Sequence, residues 1–134
     1  MENRKLKVLV GCEESQAVTK AFRALGHEAY SNDLLDCSGG HPEWHIKGDV
    51  FAVIDPLNFF FNAQNGDLIE KKKQWDLIIA HPPCTYLTVT GNKWMKPEFE
   101  KRFPNRKQQR LEAIDFFIKI ANSECDRIAI ENPV

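Results

Sequence analysis

The run Leu77-Ile78-Ile79-Ala80, entered from Trp75-Asp76 and cut off by His81-Pro82-Pro83-Cys84, constrains this chain more than any other stretch. Four apolar residues stopped by a pair of prolines are too short for a core helix and read as a buried strand. The prolines stop the strand abruptly and deliver Cys84 into the loop beyond its carboxyl end. A second run, Arg127-Ile128-Ala129-Ile130, stops in the same way at Glu131-Asn132-Pro133. Strands that are apolar on both faces belong to parallel sheets, whose ligands collect outside the carboxyl ends of the strands.

The rest of the chain alternates accordingly. Lys5 to Gly11 reads as the first strand, with Leu6, Val8, Leu9 and Val10 buried. A helix is expected from Glu14 to Leu25, because Val18, Ala21, Phe22 and Leu25 recur at helical spacing and Gly26 suits the position that ends it. His27 to Asn32 reads as the second strand, 34–44 as loop around Gly39, Gly40 and Pro42, and His45 to Lys47 as the third strand. A turn or two of helix reaches Ile54 before Pro56. The run Phe59-Phe60-Phe61 is expected to pack on the body, Asn65-Gly66 to turn, and 67–74 to be a polar approach to the fourth strand. A long loop over 85–104 follows. Asn105 is the N-cap expected for a helix to Ala121, with Leu111, Ile114, Phe117, Ile118 and Ala121 as its buried stripe. The fifth strand spans 126–131. This order predicts one α/β domain over 1–134, Rossmann-like, with a parallel sheet ordered 3-2-1-4-5 and helices on both faces. A chain that stops at Val134, on the tip of a strand, reads as a domain truncated after strand five.

With 134 residues, 43% of them hydrophobic and 28% charged, the chain can bury a real core. No apolar run is long enough to span a bilayer, and Met1 to Lys5 lacks a signal-peptide core, which points to the cytoplasm. Cys12, Cys37, Cys84 and Cys125 show no CxxC spacing and read as reduced thiols. Charge is uneven. Lys93, Lys96, Lys101, Arg102, Arg106, Lys107 and Arg110 crowd 93–110 against only Glu98 and Glu100, a segment suited to a phosphate-bearing partner such as DNA.

Three strand ends carry residues suited to a nucleoside cofactor. The first strand runs through Gly11-Cys12-Glu13-Glu14-Ser15 into a helix, a turn that presents backbone N–H groups and a positive dipole end. Asp33 ends the second strand, where an acid accepts hydrogen bonds from ribose hydroxyls, and Asp49 ends the third, within reach of an adenine edge. Either acid by itself is also an ordinary loop or helix cap.

In order and character these features resemble the first part of the cytosine-C5 DNA methyltransferases. The shared features are the Gly11 loop, Asp33, Asp49, the Pro83-Cys84 pair and Glu131-Asn132. The stretches 76–87 (DLIIAHPPCTYL) and 128–134 (IAIENPV) are similar to phage- and prophage-encoded methyltransferase-like proteins, which implies a bacterial host cytoplasm. His81 stands where the family has a small residue, Thr85 where it has glutamine, and Pro133 where it has valine.

The resemblance implies S-adenosylmethionine as cofactor, held by Gly11, Cys12, Glu13, Asp33, Asp49, His81 and Pro82. It implies Cys84 as the thiolate that adds to C6 of cytosine, and Glu131 as the carboxyl that hydrogen-bonds N3 and the exocyclic amine. Pro83, Asn132, Lys93 and Arg106 would contact the DNA substrate, whose target base must leave the stack. The loop is also similar to the Asp/Asn/Ser-Pro-Pro-aromatic loop of adenine-N6 and cytosine-N4 amino-methyltransferases, with Tyr86 as a substitute for the stacking ring that Cys84 lacks. A third reading is a catalytically inactive methyltransferase-like module that binds a nucleotide or a protein. Cys37, His41 and His45 recur every four residues, but Gly39, Gly40 and Pro42 make the stretch loop and no fourth ligand follows, so no metal is assigned.

Overall fold

The computed structural model describes residues 5–81 and 106–130. Its centre is β1 (Lys7–Gly11), in which Val8, Leu9 and Val10 have no exposed surface. On one side β1 pairs in parallel with β2 (Glu28–Asp33), and β2 with β3 (His45–Lys47). On the other it pairs in parallel with β6 (Leu77–Ala80), and β6 with β7 (Ile128–Ile130). The five-stranded sheet therefore runs β3-β2-β1-β6-β7. The fold is α/β and Rossmann-like in its general organisation. The strand numbering differs from the sequence expectation because an unforeseen hairpin, β4 (Phe60–Asn62) with β5 (Leu68–Glu70), lies between β3 and β6 in the chain.

Helices cover both faces. α1 (Ala17–Ala24) lays Val18 and Phe22 on Val8, Val10 and Ala29. It ends as its glycine suggests: Gly26 takes φ +93°, its N–H reaches Arg23 C=O at 3.0 Å, and His27 N–H reaches Phe22 C=O at 3.1 Å, a Schellman closure. On the opposite face Leu9, Ile46, Ile78 and Ala80 pack with Val50, Val53 and Ile54 of α2 (Val50–Ile54) and with Ile120 of α3 (Arg106–Ala121). Among the described residues no helix is long and apolar enough to cross a membrane.

Four local expectations need correction. α1 starts three residues later than its apolar spacing suggests, because Gln16 adopts a left-handed conformation (φ 62°) and breaks the helical path. Residues 67–74 contain a strand: β5 is only 3 residues long with Ile69 alone facing inward, too short among polar neighbours to show alternation in sequence. Of the phenylalanine run, Phe61 is buried whereas Phe60 is 58% exposed. On α3 the expected stripe points the wrong way. Leu111, Ile114, Ile118 and Ala121 are exposed, and Phe116 and Ile120 face the body. Apolar residues run almost all round this helix, so their spacing does not select a face. Asn105 and 85–104 lie outside the described residues.

Candidate active site at the carboxyl rim of the sheet

Parallel strands end on a common edge, and the register brings the ends of β1, β2 and β3 side by side: Gly11 opposite Asn32, and Asp33 opposite Lys47. A cavity of about 380 Å³ opens there, lined chiefly by Cys12, Asp33, Gly48, Asp49, Phe51 and Phe116. Three cofactor candidates from the sequence, Cys12, Asp33 and Asp49, thus meet in one space. Phe51 and Phe116 form an aromatic wall, edge to face with ring centroids 4.9 Å apart.

Each acid commits one oxygen to its own loop. Asp33 Oδ1 accepts Leu35 N–H at 3.0 Å, and Asp49 Oδ1 accepts Phe51 N–H at 2.9 Å as the N-cap of α2. The capping role and the ligand role are therefore compatible, since a carboxylate has a second oxygen. Burial, and then the charges of Asp33 and Asp49, push the Cys12 thiol up to about 12. Cys12 is a neutral, unreactive wall residue in a negative field. Gly11 serves packing: a Cβ there would sit 2.8 Å from Val50 Cγ2, so its absence lets α2 close on the end of β1.

A second cavity of about 350 Å³ adjoins at Cys12 and is lined by Glu13, Glu14, Ser15, Ala17, Val18 and His81. Glu13 is 5% exposed and turns inward onto α1. Its Oε2 accepts Val18 N–H at 3.0 Å, and its Oε1 accepts Thr19 N–H at 3.0 Å and the Thr19 hydroxyl at 2.9 Å. The helix-end N–H groups that the sequence offers to a ligand are thus occupied by the chain itself. Burial opposes ionisation of Glu13, but hydrogen bonding from His81, Thr19 and Val18 outweighs it and holds the carboxyl below its usual range.

Two organising residues escaped sequence reading. Gln16 is fully buried: its amide donates to Ser31 Oγ at 3.1 Å and to His41 C=O at 2.8 Å, and accepts His41 N–H at 3.0 Å, fastening the 34–41 loop beside the cavity. Lys71 is equally buried under the hairpin, with its ammonium on Asp55 C=O (2.8 Å) and Gln74 Oε1 (3.0 Å). Apart from Gln74, their partners are remote in sequence, so no local pattern marks them. His45, of the four-spaced Cys/His set, spends both ring nitrogens on Ser31 Oγ and Leu35 C=O.

The remaining candidates are distributed unevenly. His81 continues the β1–β6 ladder, its N–H on Gly11 C=O at 3.0 Å, and lines the second cavity. Arg106 begins α3. Pro82, Pro83, Cys84, Lys93, Glu131 and Asn132 lie outside the described residues. No protein-family model, curated protein or solved structure matches the chain.

Proposed function

We propose that the protein is an S-adenosylmethionine-dependent methyltransferase acting on C5 of cytosine in DNA. The observation that carries this reading is the convergence of Asp33, Asp49 and the Phe51–Phe116 wall on one cavity at the carboxyl rim. The second carboxylate oxygen of Asp33 suits ribose hydroxyls, and that of Asp49 suits an adenine amine, with an aromatic surface for the base.

Glu13 discriminates between cofactor classes. Doubly wound folds that hold dinucleotides rest the pyrophosphate on the N–H groups of the first helix. Here the Val18 and Thr19 N–H groups are taken by a buried carboxylate. A pyrophosphate would find neither those donors nor favourable charge, whereas S-adenosylmethionine, with a sulfonium and an ammonium against one carboxylate, is net cationic and penalised far less. Bound S-adenosylmethionine supplies an electrophilic methyl group.

The chain's own share of the chemistry falls to the residues named from sequence. Cys84 adds as thiolate to C6 of cytosine and makes C5 nucleophilic, and Glu131 hydrogen-bonds N3 as charge develops. Lys93 and Arg106 are assigned to DNA phosphates. An oligonucleotide containing 5-fluorocytosine tests this reading, because fluorine at C5 blocks the release step and leaves the base bonded to the protein. A covalent adduct is expected with S-adenosylmethionine present and is lost in Cys84→Ser. An adduct of equal yield in Cys84→Ser removes Cys84 as the nucleophile. Methylation at N4 or N6 without any adduct indicates amino-methyl transfer instead.

A further inference from the structure

The two cavities share Cys12 in their linings, and only one residue lining the second belongs to β6 or its end. That residue is His81. Its backbone is tied to Gly11 by the 3.0 Å hydrogen bond, and its ring turns toward the first helix, Nε2 lying 3.4 Å from Glu13 Oε2. The three hydrogen bonds described above come to Glu13 from Val18 and Thr19, both in α1. His81 brings a partner from a separate element. The Glu13–His81 contact therefore joins the end of β6 to the loop between β1 and α1, on the wall of the second cavity, and Glu13 carries it on to the first turn of α1.

We propose that His81 is a positioning residue. Its imidazole, held against Glu13, fixes how the end of β6 sits against the β1–α1 loop and α1, and so holds the shape of the rim where the second cavity meets the cofactor cavity at Cys12. This rests on the methyltransferase reading above. The physical basis is the depth of Glu13: a carboxylate 5% exposed resists moving away from its donors, so whatever is held to it is held in place. A polar side chain of similar reach can keep the tie, and an apolar one cannot.

Two variants separate positioning from bulk. His81→Leu fills the space without a donor, and His81→Gln retains an N–H for Glu13. Calorimetric titration with S-adenosylmethionine is expected to show about tenfold weaker binding by His81→Leu, and binding by His81→Gln within about threefold of the parent protein. Amide exchange at Val18 and Thr19 should accelerate in His81→Leu and return towards the parent rate in His81→Gln, which reports the tie without any ligand. A role in stability alone moves the urea midpoints of the variants and leaves the dissociation constants equal, overturning the proposal. Unchanged exchange in His81→Leu overturns it as well. If the parent protein binds no S-adenosylmethionine, it is the methyltransferase reading that fails, and the cofactor role of His81 fails with it. If the parent binds and His81→Leu binds equally well, only the positioning role is lost.

Discussion

Trp75→Ala is expected to lower the free energy of unfolding by about 4 kcal/mol, the range for deleting a large buried aromatic. Trp75 is 2% exposed. It stacks on Phe61 of the hairpin (centroids 6.2 Å, interplanar angle 23°) and tilts against Tyr30 at 6.0 Å. Its indole N–H donates to Val53 C=O at 2.9 Å, and the Lys71 ammonium lies 5.7 Å from its ring. One side chain thus joins the hairpin, α2 and the entry to β6. Its removal leaves a cavity, an orphaned carbonyl and a buried cation without one wall. Against a domain stability of about 5–15 kcal/mol this is a large fraction. Phe60→Ala, at an exposed position on the same hairpin, should change stability by less than about 0.5 kcal/mol. Urea denaturation of the two variants gives the comparison. Equal midpoints would remove Trp75 from the centre of the core.

The next largest effect is expected at Glu13. Glu13→Ala leaves the Val18 and Thr19 N–H groups and the Thr19 hydroxyl without their acceptor, and Thr19 is fully buried. The loss combines a missing helix cap with buried unsatisfied donors, about 2–3 kcal/mol at neutral pH. The pH dependence has a definite sign. The carboxyl of folded Glu13 is held below its usual range despite its burial. Its ionised form therefore contributes stability at pH values above the unfolded pKa of about 4.3, and the contribution is lost as pH falls through the lower folded value. The difference in stability between the parent protein and Glu13→Ala should be widest near pH 7 and shrink in acid, below roughly pH 4. A difference that stays constant from neutral to acid pH would show that the charge of Glu13 contributes nothing.

The parts of the molecule legible in sequence are those with short-range causes. β1 and β6 are brief apolar runs closed by Gly11 and the Pro82-Pro83 pair, and such runs in alternation with helices admit few arrangements. Asp33 and Asp49 were legible as a pair for the same reason: in a parallel sheet the residues just past successive strands share one rim. What could not be read depends on distant partners. Glu13 looks like part of a loop open to ligands, and only the left-handed turn at Gln16 swings α1 into a position where that carboxylate caps it. Gln16 gains its role from His41 and Ser31, and Lys71 from Asp55, 16 positions away. Glu13 and His81 are 68 positions apart, yet their side chains meet on the wall of the second cavity. The face of α3 was misread because apolar residues surround it, so only the fold decides that Phe116 and Ile120 turn inward.

The most direct measurement of the central claim is a calorimetric titration of the protein with S-adenosylmethionine, repeated with Asp33→Ala and with a nicotinamide dinucleotide. Saturable binding of S-adenosylmethionine is expected. It should weaken about a hundredfold in Asp33→Ala, as for the loss of charged hydrogen bonds to two ribose hydroxyls, and the dinucleotide should not bind. No binding of S-adenosylmethionine by the parent protein, or equal affinity in Asp33→Ala, would contradict a cofactor site at the carboxyl rim.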